Sequence, residues 1–239
     1  MYSQVVPADT LRPLGPAFSD LLSGMSATQA ILAALHARGE TGVGEHLEVS
    51  MVGALVDFLT EGASTFLEAG YISHPDSRPR RAQAYACRGS DGLAFVIHMS
   101  VPEKFWTGLL DVLERPDLAE DPRFSSRESR VANYDELDAE LKVATATQPR
   151  AHWMHRLEQH GIPHGPLNTV ADLFEDPQIA HMGLVGTVTA PDGTEVRVPL
   201  PSTRFARSGT PDLTHAPLLG ADTEQVLRAT RTHAKEQSE

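Results

Sequence analysis

SDLLSGMSATQAILAALHARGETGVGEHLEVSM, residues 19–51, is the stretch on which the reading of this chain turns. Leu21, Met25, Leu32 and Leu35 recur at helical spacing, and Ala27, Ala30, Ala33 and Ala34 favour helix. Gly39 stands where a helix stop is expected. The small residues Gly24, Ala27 and Ala30 let such a helix lie close against another element. ETGVGE (40–45) reads as a turn, HLEVS (46–50) alternates like a short strand, and a second helix is expected from Met51 to about Ala69.

Outward from this stretch the pattern changes twice. Residues 1–18 read as loop, broken by Pro7, Pro13, Gly15 and Pro16. GYISHPDSRPRR (70–81) reads as a linker with basic punctuation, and a second region opens near Gln83. There LAFVIHM (93–99) is apolar and branched enough for a buried strand, turned from Tyr85 by GSDG (89–92). Helices are expected at Glu103–Glu114, Arg127–Thr145 and Arg150–His160, with Pro102 and Pro149 at two helix starts. GIPHGP (161–166) reads as a rigid break, and Ala171–Phe174 as a short helix. VGTVTA and TEVRVPL flank the turn PDG (191–193) as a hairpin, and HAPLLGADTEQVL (215–227) reads as loop, then helix.

Composition bounds the answer. With 41% hydrophobic and 22% charged residues over 239 positions, the chain has enough apolar material for a packed core, which excludes a disordered or fibrous protein. The formal charge of −12 repels phosphates, and aromatics at 6% supply no interleaved stacking platform, so nucleic acid is not an expected partner. No stretch approaches the roughly 20 apolar residues of a membrane span, and the N-terminus lacks the basic and apolar parts of a signal peptide. The single Cys87 cannot close an intrachain disulfide, and a reduced, cytoplasmic setting is expected.

Four groups carry possible chemistry. Asp20 falls near the start of the first helix, where it reads either as an N-cap or as a functional carboxylate. The positive end of a helix stabilises a carboxylate, and a positioned carboxylate can attack an activated acyl group. His152, His155, His160 and His164 lack the glutamate and cysteine partners of a zinc site and read as surface histidines, so no metal is expected. Cys87 reads as a small buried hydrophobe rather than a nucleophile. Arg78, Arg80 and Arg81 form the dense basic cluster, either a solvated linker or a grip for a carboxylate or phosphate.

The run 19–51 also resembles the central signature of the class III CoA-transferases, the family of formyl-CoA transferase, carnitine CoA-transferase and α-methylacyl-CoA racemase. The matching positions are Asp20, Gly24, Ile31–Leu35, Arg38, Thr41, Gly42, Gly44, Ser50 and Met51. QAYACRGSDG (83–92), RPDLAEDPRFSSRESRVANYDEL (115–137), GIPHGPLNTVADLFEDPQIAHMGL (161–184) and APLLGADTEQVL (216–227) follow in family order.

The resemblance implies a mixed α/β fold, with parts of a large domain at 1–75 and 166–239 around a small α+β domain at 76–165. It implies an enzyme that moves coenzyme A from an acyl-CoA to an organic acid without metal. Asp20 would be the nucleophile, passing through a mixed anhydride and an aspartyl-CoA thioester. Backbone N–H groups beside Gly24 would face the oxyanion, and Arg80, Arg81 and Gln83 would hold the acid. Formyl-CoA transferase has a glycine-rich substrate loop where this chain has SRPRRAQ (77–83), which argues against oxalate specificity. A glutamate and a histidine expected of the racemases find no counterpart, so transfer is favoured over racemisation.

The family also carries a nucleotide-binding-like half before this aspartate, whereas Met1 stands 19 residues before Asp20. The expectations are therefore an interlocked homodimer, a partner subunit bearing that half, or a non-catalytic fragment or interaction subunit. In each case the apolar faces of the first two helices would be left uncovered.

Overall fold

The computed structural model describes residues 5–6, 13–100, 103–209 and 213–236. Expectations on Pro7 and Pro102 lie outside these residues. The chain is a mixture of helices and short antiparallel strands, and it divides into two compact units, residues 1–167 and 168–239.

The first unit opens with α1 (Phe18–Thr41), α2 (Met51–Phe58), α3 (Thr60–Ala69) and α4 (Ser77–Ala82). Helix α1 runs through Gly39 and ends at Gly42, so the expected stop was three residues early. Gly42 takes the left-handed conformation, φ 73°, and its N–H donates to the Arg38 carbonyl at 2.8 Å. HLEVS forms no strand, because no neighbouring chain pairs with it among the described residues. The long second helix breaks at Leu59 (φ −95°, ψ 18°) into α2 and α3. The stretch expected as linker contains helix α4, whose last turn carries Arg80 and Arg81 beside its own C-terminal carbonyls.

The packed core lies beyond Gln83. Strands β1 (Ala84–Arg88), β2 (Ala94–His98) and β3 (His164–Pro166) form an antiparallel sheet in the order β1-β2-β3. Tyr85 opposes Ile97 and Cys87 opposes Phe95, and these four side chains are buried together. Strand β3 falls within GIPHGP, where two prolines hid the pairing capacity from the sequence reading.

Helices α5 (Glu103–Leu113), α6 (Asp117–Glu120), α7 (Arg127–Ala132), α8 (Tyr134–Thr145) and α9 (Arg150–Gln159) cover the sheet. Trp106, Leu109, Leu137, Leu141, Trp153 and Leu157 are their principal contributions to the core. The expected helix 127–145 is interrupted at Asn133, whose amide donates to the carbonyls of Arg123 and Ser129. Gly89 is required sterically: a Cβ there would come within 2.4 Å of the Arg150 backbone nitrogen. The adjoining Asp91 accepts from that same N–H at 3.1 Å and so fixes the start of α9 just after Pro149.

The second unit has two short helices, α10 (Val170–Glu175) and α11 (Pro177–Met182). The Thr169–Asp172 capping box starts the first, and Asp176 caps the second ahead of Pro177. The expected hairpin is present as β4 (Val185–Thr189) and β5 (Glu195–Pro199), followed by α12 (Thr223–Glu236). No described helix is long and apolar enough to cross a membrane.

Leu137 is wholly buried, so Leu137→Ala is expected to lower the unfolding free energy by about 2–5 kcal/mol. Val143 on the same helix is 69% exposed, and Val143→Ala is expected to change it by no more than about 0.5 kcal/mol. Urea unfolding followed by circular dichroism measures both.

Candidate active site

Asp20 sits in the first turn of α1 and is solvent-exposed. The N-cap position belongs to Ala17, which offers no side-chain cap, so the capping reading of Asp20 is not what the helix uses. The carboxylate accepts a hydrogen bond from the Ser19 hydroxyl at 3.2 Å. Phe18, two residues before it, stacks on Phe58 of α2 with ring centroids 6.3 Å apart.

Gly24 stands inside α1, where a backbone N–H ordinarily donates to the carbonyl four residues earlier. Its own carbonyl accepts from the Thr28 hydroxyl at 2.9 Å. Donation from Gly24 to an oxyanion would therefore require the helix to open. What Gly24 supplies in this geometry is room: nothing lies within 4 Å of a Cβ placed there.

Phe58 leads from the start of α1 to the arginine cluster. It lines a cavity of about 330 Å³ together with Leu59, Glu61, His74, Arg78 and Arg81. A second cavity of about 350 Å³ is bounded by Glu61, Arg78, Arg81, Ala82, His98 and Ser100. Arg81 forms an ion pair with Glu61 and so lines both spaces.

Arg80 points elsewhere. Its guanidinium bonds both oxygens of Asp135, at 2.6 and 2.5 Å, and lies 5.0 Å from the Tyr134 ring centroid. The Asp135 bond holds its pKa above the ordinary arginine range. Arg80 is thus committed within the chain, in contrast to its expected role.

Gln83 is likewise internal. It is 2% exposed, donates to the Ser100 carbonyl at 3.1 Å and accepts from Arg130 Nε at 3.0 Å. It holds the exit of α4 in place rather than reaching a ligand. The residues joined by the fold are Arg78, Arg81, Glu61, His98 and Ser100. Sequence reasoning had the arginine cluster but no signal for Glu61, which is 20 positions away from Arg81.

Cys87 is 3% exposed, and burial pushes its thiol pKa up to about 11. The small-hydrophobe reading holds for it. His152 packs edge-on against Trp153, His155 meets Gln159, and His160 Nδ1 and His164 Nδ1 meet backbone carbonyls. Among the described residues no group of three His, Cys, Asp or Glu is placed to hold a metal ion.

The sequence profile of CoA-transferase family III matches residues 7–223. Succinyl-CoA:glutarate CoA-transferase of Mus musculus is 30% identical over 226 residues, covering 92% of this chain and 50% of that protein. Acetyl-CoA:oxalate CoA-transferase of Acetobacter aceti is 32% identical over 214 residues, covering 83% of this chain and 52% of that protein. The crystal structure of a CaiB/BaiF family protein from Brucella suis superposes with a TM-score of 0.76 at 28% identity, over 95% of this chain and 59% of that one. The chain spans about half the length of the curated relatives it matches.

The Cys87 placement sets a pH dependence. The neutral thiol is favoured by the fold, so its contribution is complete below the unfolded value near 9 and is lost as pH rises through about 11. The native chain is expected to resist iodoacetamide at pH 8 and to react fully in 6 M guanidinium. Cys87→Ala is expected to lessen the loss of stability between pH 9 and 11, as followed by urea titration.

Proposed function

This chain belongs to CoA-transferase family III, and on that premise we propose that it carries the aspartate of a CoA transfer between an acyl-CoA and an organic acid. An Asp20 carboxylate oxygen attacks the thioester carbonyl; the C–S bond breaks and the CoA thiolate leaves with its electron pair. The thiolate then attacks the aspartyl carbonyl of the mixed anhydride, releasing the donor carboxylate and leaving an aspartyl-CoA thioester. The acceptor carboxylate reverses these two steps and restores Asp20. No net proton is consumed, so no separate general base is needed.

The observation that carries this reading is the carboxylate itself. It stands exposed in the first turn of a helix whose cap it does not serve, beside the open surface at Gly24. The Phe18–Phe58 stack ties that helix start to the wall of the arginine cavity. For the acid, the cavity favours Arg81 over Arg80, because Arg81 lines the space that Phe58 bounds whereas Arg80 turns to Asp135 and Tyr134.

A dimer or partner-dependent enzyme is supported by uncovered apolar surface. Leu21, Met25 and Leu32 of α1 are 64%, 61% and 62% exposed, and Val52, Phe58, Phe66 and Leu67 extend that surface over α2 and α3. The same surface favours a second reading, an interaction subunit that binds no CoA.

Incubation with acyl-CoA followed by hydroxylamine is expected to convert the Asp20 peptide to its hydroxamate, detected by mass spectrometry. Asp20→Ala should abolish the product. An unmodified wild-type peptide together with no calorimetric response to CoA favours the interaction subunit. Light scattering at micromolar concentration is expected to show an assembly heavier than the 25.9 kDa chain; a monodisperse single chain overturns the assembly proposal.

A further inference from the structure

We propose that Ser100 and His98 form a second reactive centre, a serine nucleophile with its histidine base, that hydrolyses acyl-CoA thioesters. The acyl-CoA class of substrate rests on the transfer reading. The nucleophile does not, because Ser100 acts without Asp20.

The pair stands where the chain leaves β2. His98 is the last residue of that strand, and the Ser100 hydroxyl lies 2.9 Å from its Nδ1. With the ring proton on Nε2, Nδ1 accepts from the hydroxyl. That separation lies within the reach at which a base takes the proton of a serine nucleophile. Both side chains are half-buried, and both line the cavity of about 350 Å³ that Arg78 and Arg81 also bound.

The backbone holds the serine in a conformation that non-glycine residues seldom take, φ 55°. His98 N–H donates to the Pro163 carbonyl at 2.9 Å, Met99 N–H to Gln83 at 3.1 Å and Ser100 N–H to Ala82 at 2.9 Å. The Gln83 amide donates to the Ser100 carbonyl at 3.1 Å, and Met99 between the pair is 2% exposed. Strained residues pinned by their surroundings accompany functional sites. A nucleophile fixed in this way also has little freedom left to lose when it reacts.

The same bonds decide what can face an oxyanion. The N–H groups of Met99 and Ser100 are committed to carbonyls, so stabilisation falls to a side chain. Arg81 is paired with Glu61, whereas Arg78 lines the same space without a hydrogen bond or ion pair among the described residues. Arg78 is therefore the cation available to the developing negative charge.

In the first step Ser100 Oγ attacks the thioester carbonyl carbon, and its proton passes to His98 Nδ1. The C–S bond breaks with its electron pair on sulfur, and His98 gives the proton to the leaving thiolate. Water then attacks the acyl-serine ester and yields a proton to His98. The ester C–O bond breaks, and Oγ takes that proton back. The sum is thioester plus water to carboxylic acid plus thiol.

The test treats the full chain with a fluorophosphonate, and separately with acetyl-CoA in the absence of an acceptor acid. The fluorophosphonate is expected to label Ser100, located by peptide mass spectrometry. Acetyl-CoA is expected to release thiol, read with dithiobis(nitrobenzoate), and to leave an acid-stable acetyl ester on Ser100. Cys87 is buried and adds no background in the native chain. Ser100→Gly keeps the left-handed backbone without strain. It and His98→Gln should each lower thiol release at least tenfold, with the circular dichroism of the wild type.

No label on Ser100, label without thiol release, thiol release without the acetyl ester, or a smaller loss in either variant overturns the proposal. An acetylated Ser100 with no Asp20 hydroxamate overturns only the transfer reading. An Asp20 hydroxamate with Ser100 unlabelled overturns only this inference.

Discussion

The buried guanidinium of Arg130 is the constraint on which the arrangement of the first unit depends. It is 1% exposed, and a buried charge is tolerated only when its donors are satisfied. Its Nε donates to Gln83, one terminal nitrogen to the Phe124 carbonyl at 3.0 Å and the other to Glu103 at 2.8 Å. The Trp106 ring lies beneath it, 4.6 Å from guanidinium carbon to centroid. Three separate stretches, at Gln83, at Phe124 and along α5, therefore meet at one side chain. Through Gln83, the same cation fixes the residue that ends α4, and with it the direction in which Arg78 and Arg81 leave the helix. Arg127 adds to this by donating to the Arg81 carbonyl at 2.8 Å.

The sequence was most legible where one periodicity dominated. The strand at 94–98, the hairpin at 185–199 and helices α5 and α9 followed from apolar spacing and turn residues. It was least legible where a single side chain decides the backbone. Asn133 splits an otherwise continuous helical pattern by bonding two carbonyls, and the break at Leu59 falls on neither of the run's glycines, Gly53 and Gly62, which stand inside the two helices. Strand β3 was hidden because a three-residue strand that follows Pro163 and ends on Pro166 has no measurable alternation; it exists because β2 offers an edge.

The candidate site shows the same division. Asp20 and the arginine cluster were visible as residue types, but the direction of each guanidinium was not. Arg80 and Arg81 are adjacent in sequence and turn to different carboxylates, Asp135 and Glu61, which are 55 and 20 positions away. Such pairings are set by how helices α3, α4 and α8 are packed, and no local pattern encodes them. Gln83 was read as a ligand residue because it follows the arginines; its burial beneath Ser100 is a consequence of the Arg130 network.

Helix α1 presents an inverted division of labour. Ala27, Ala30 and Ala34 lie half-buried on the face toward α2, while the large apolar residues that announced the helix, Leu21, Met25 and Leu32, face outward. Small residues permit close approach of two helices but bury little area, so the outward face holds most of the helix's unrealised hydrophobic stabilisation. That imbalance bears on the proposed chemistry. A mixed anhydride formed at an exposed carboxylate meets water before it meets a second acid, and exclusion of water prevents that side reaction. On a helix of 3.6 residues per turn Asp20 stands roughly 100° from Leu21 and about 140° from Met25, so a partner seated on those side chains reaches the carboxylate only from its flank. Under the transfer mechanism, a partner that protects the intermediate must therefore extend past this apolar stripe onto the face that carries Asp20 and Gly24.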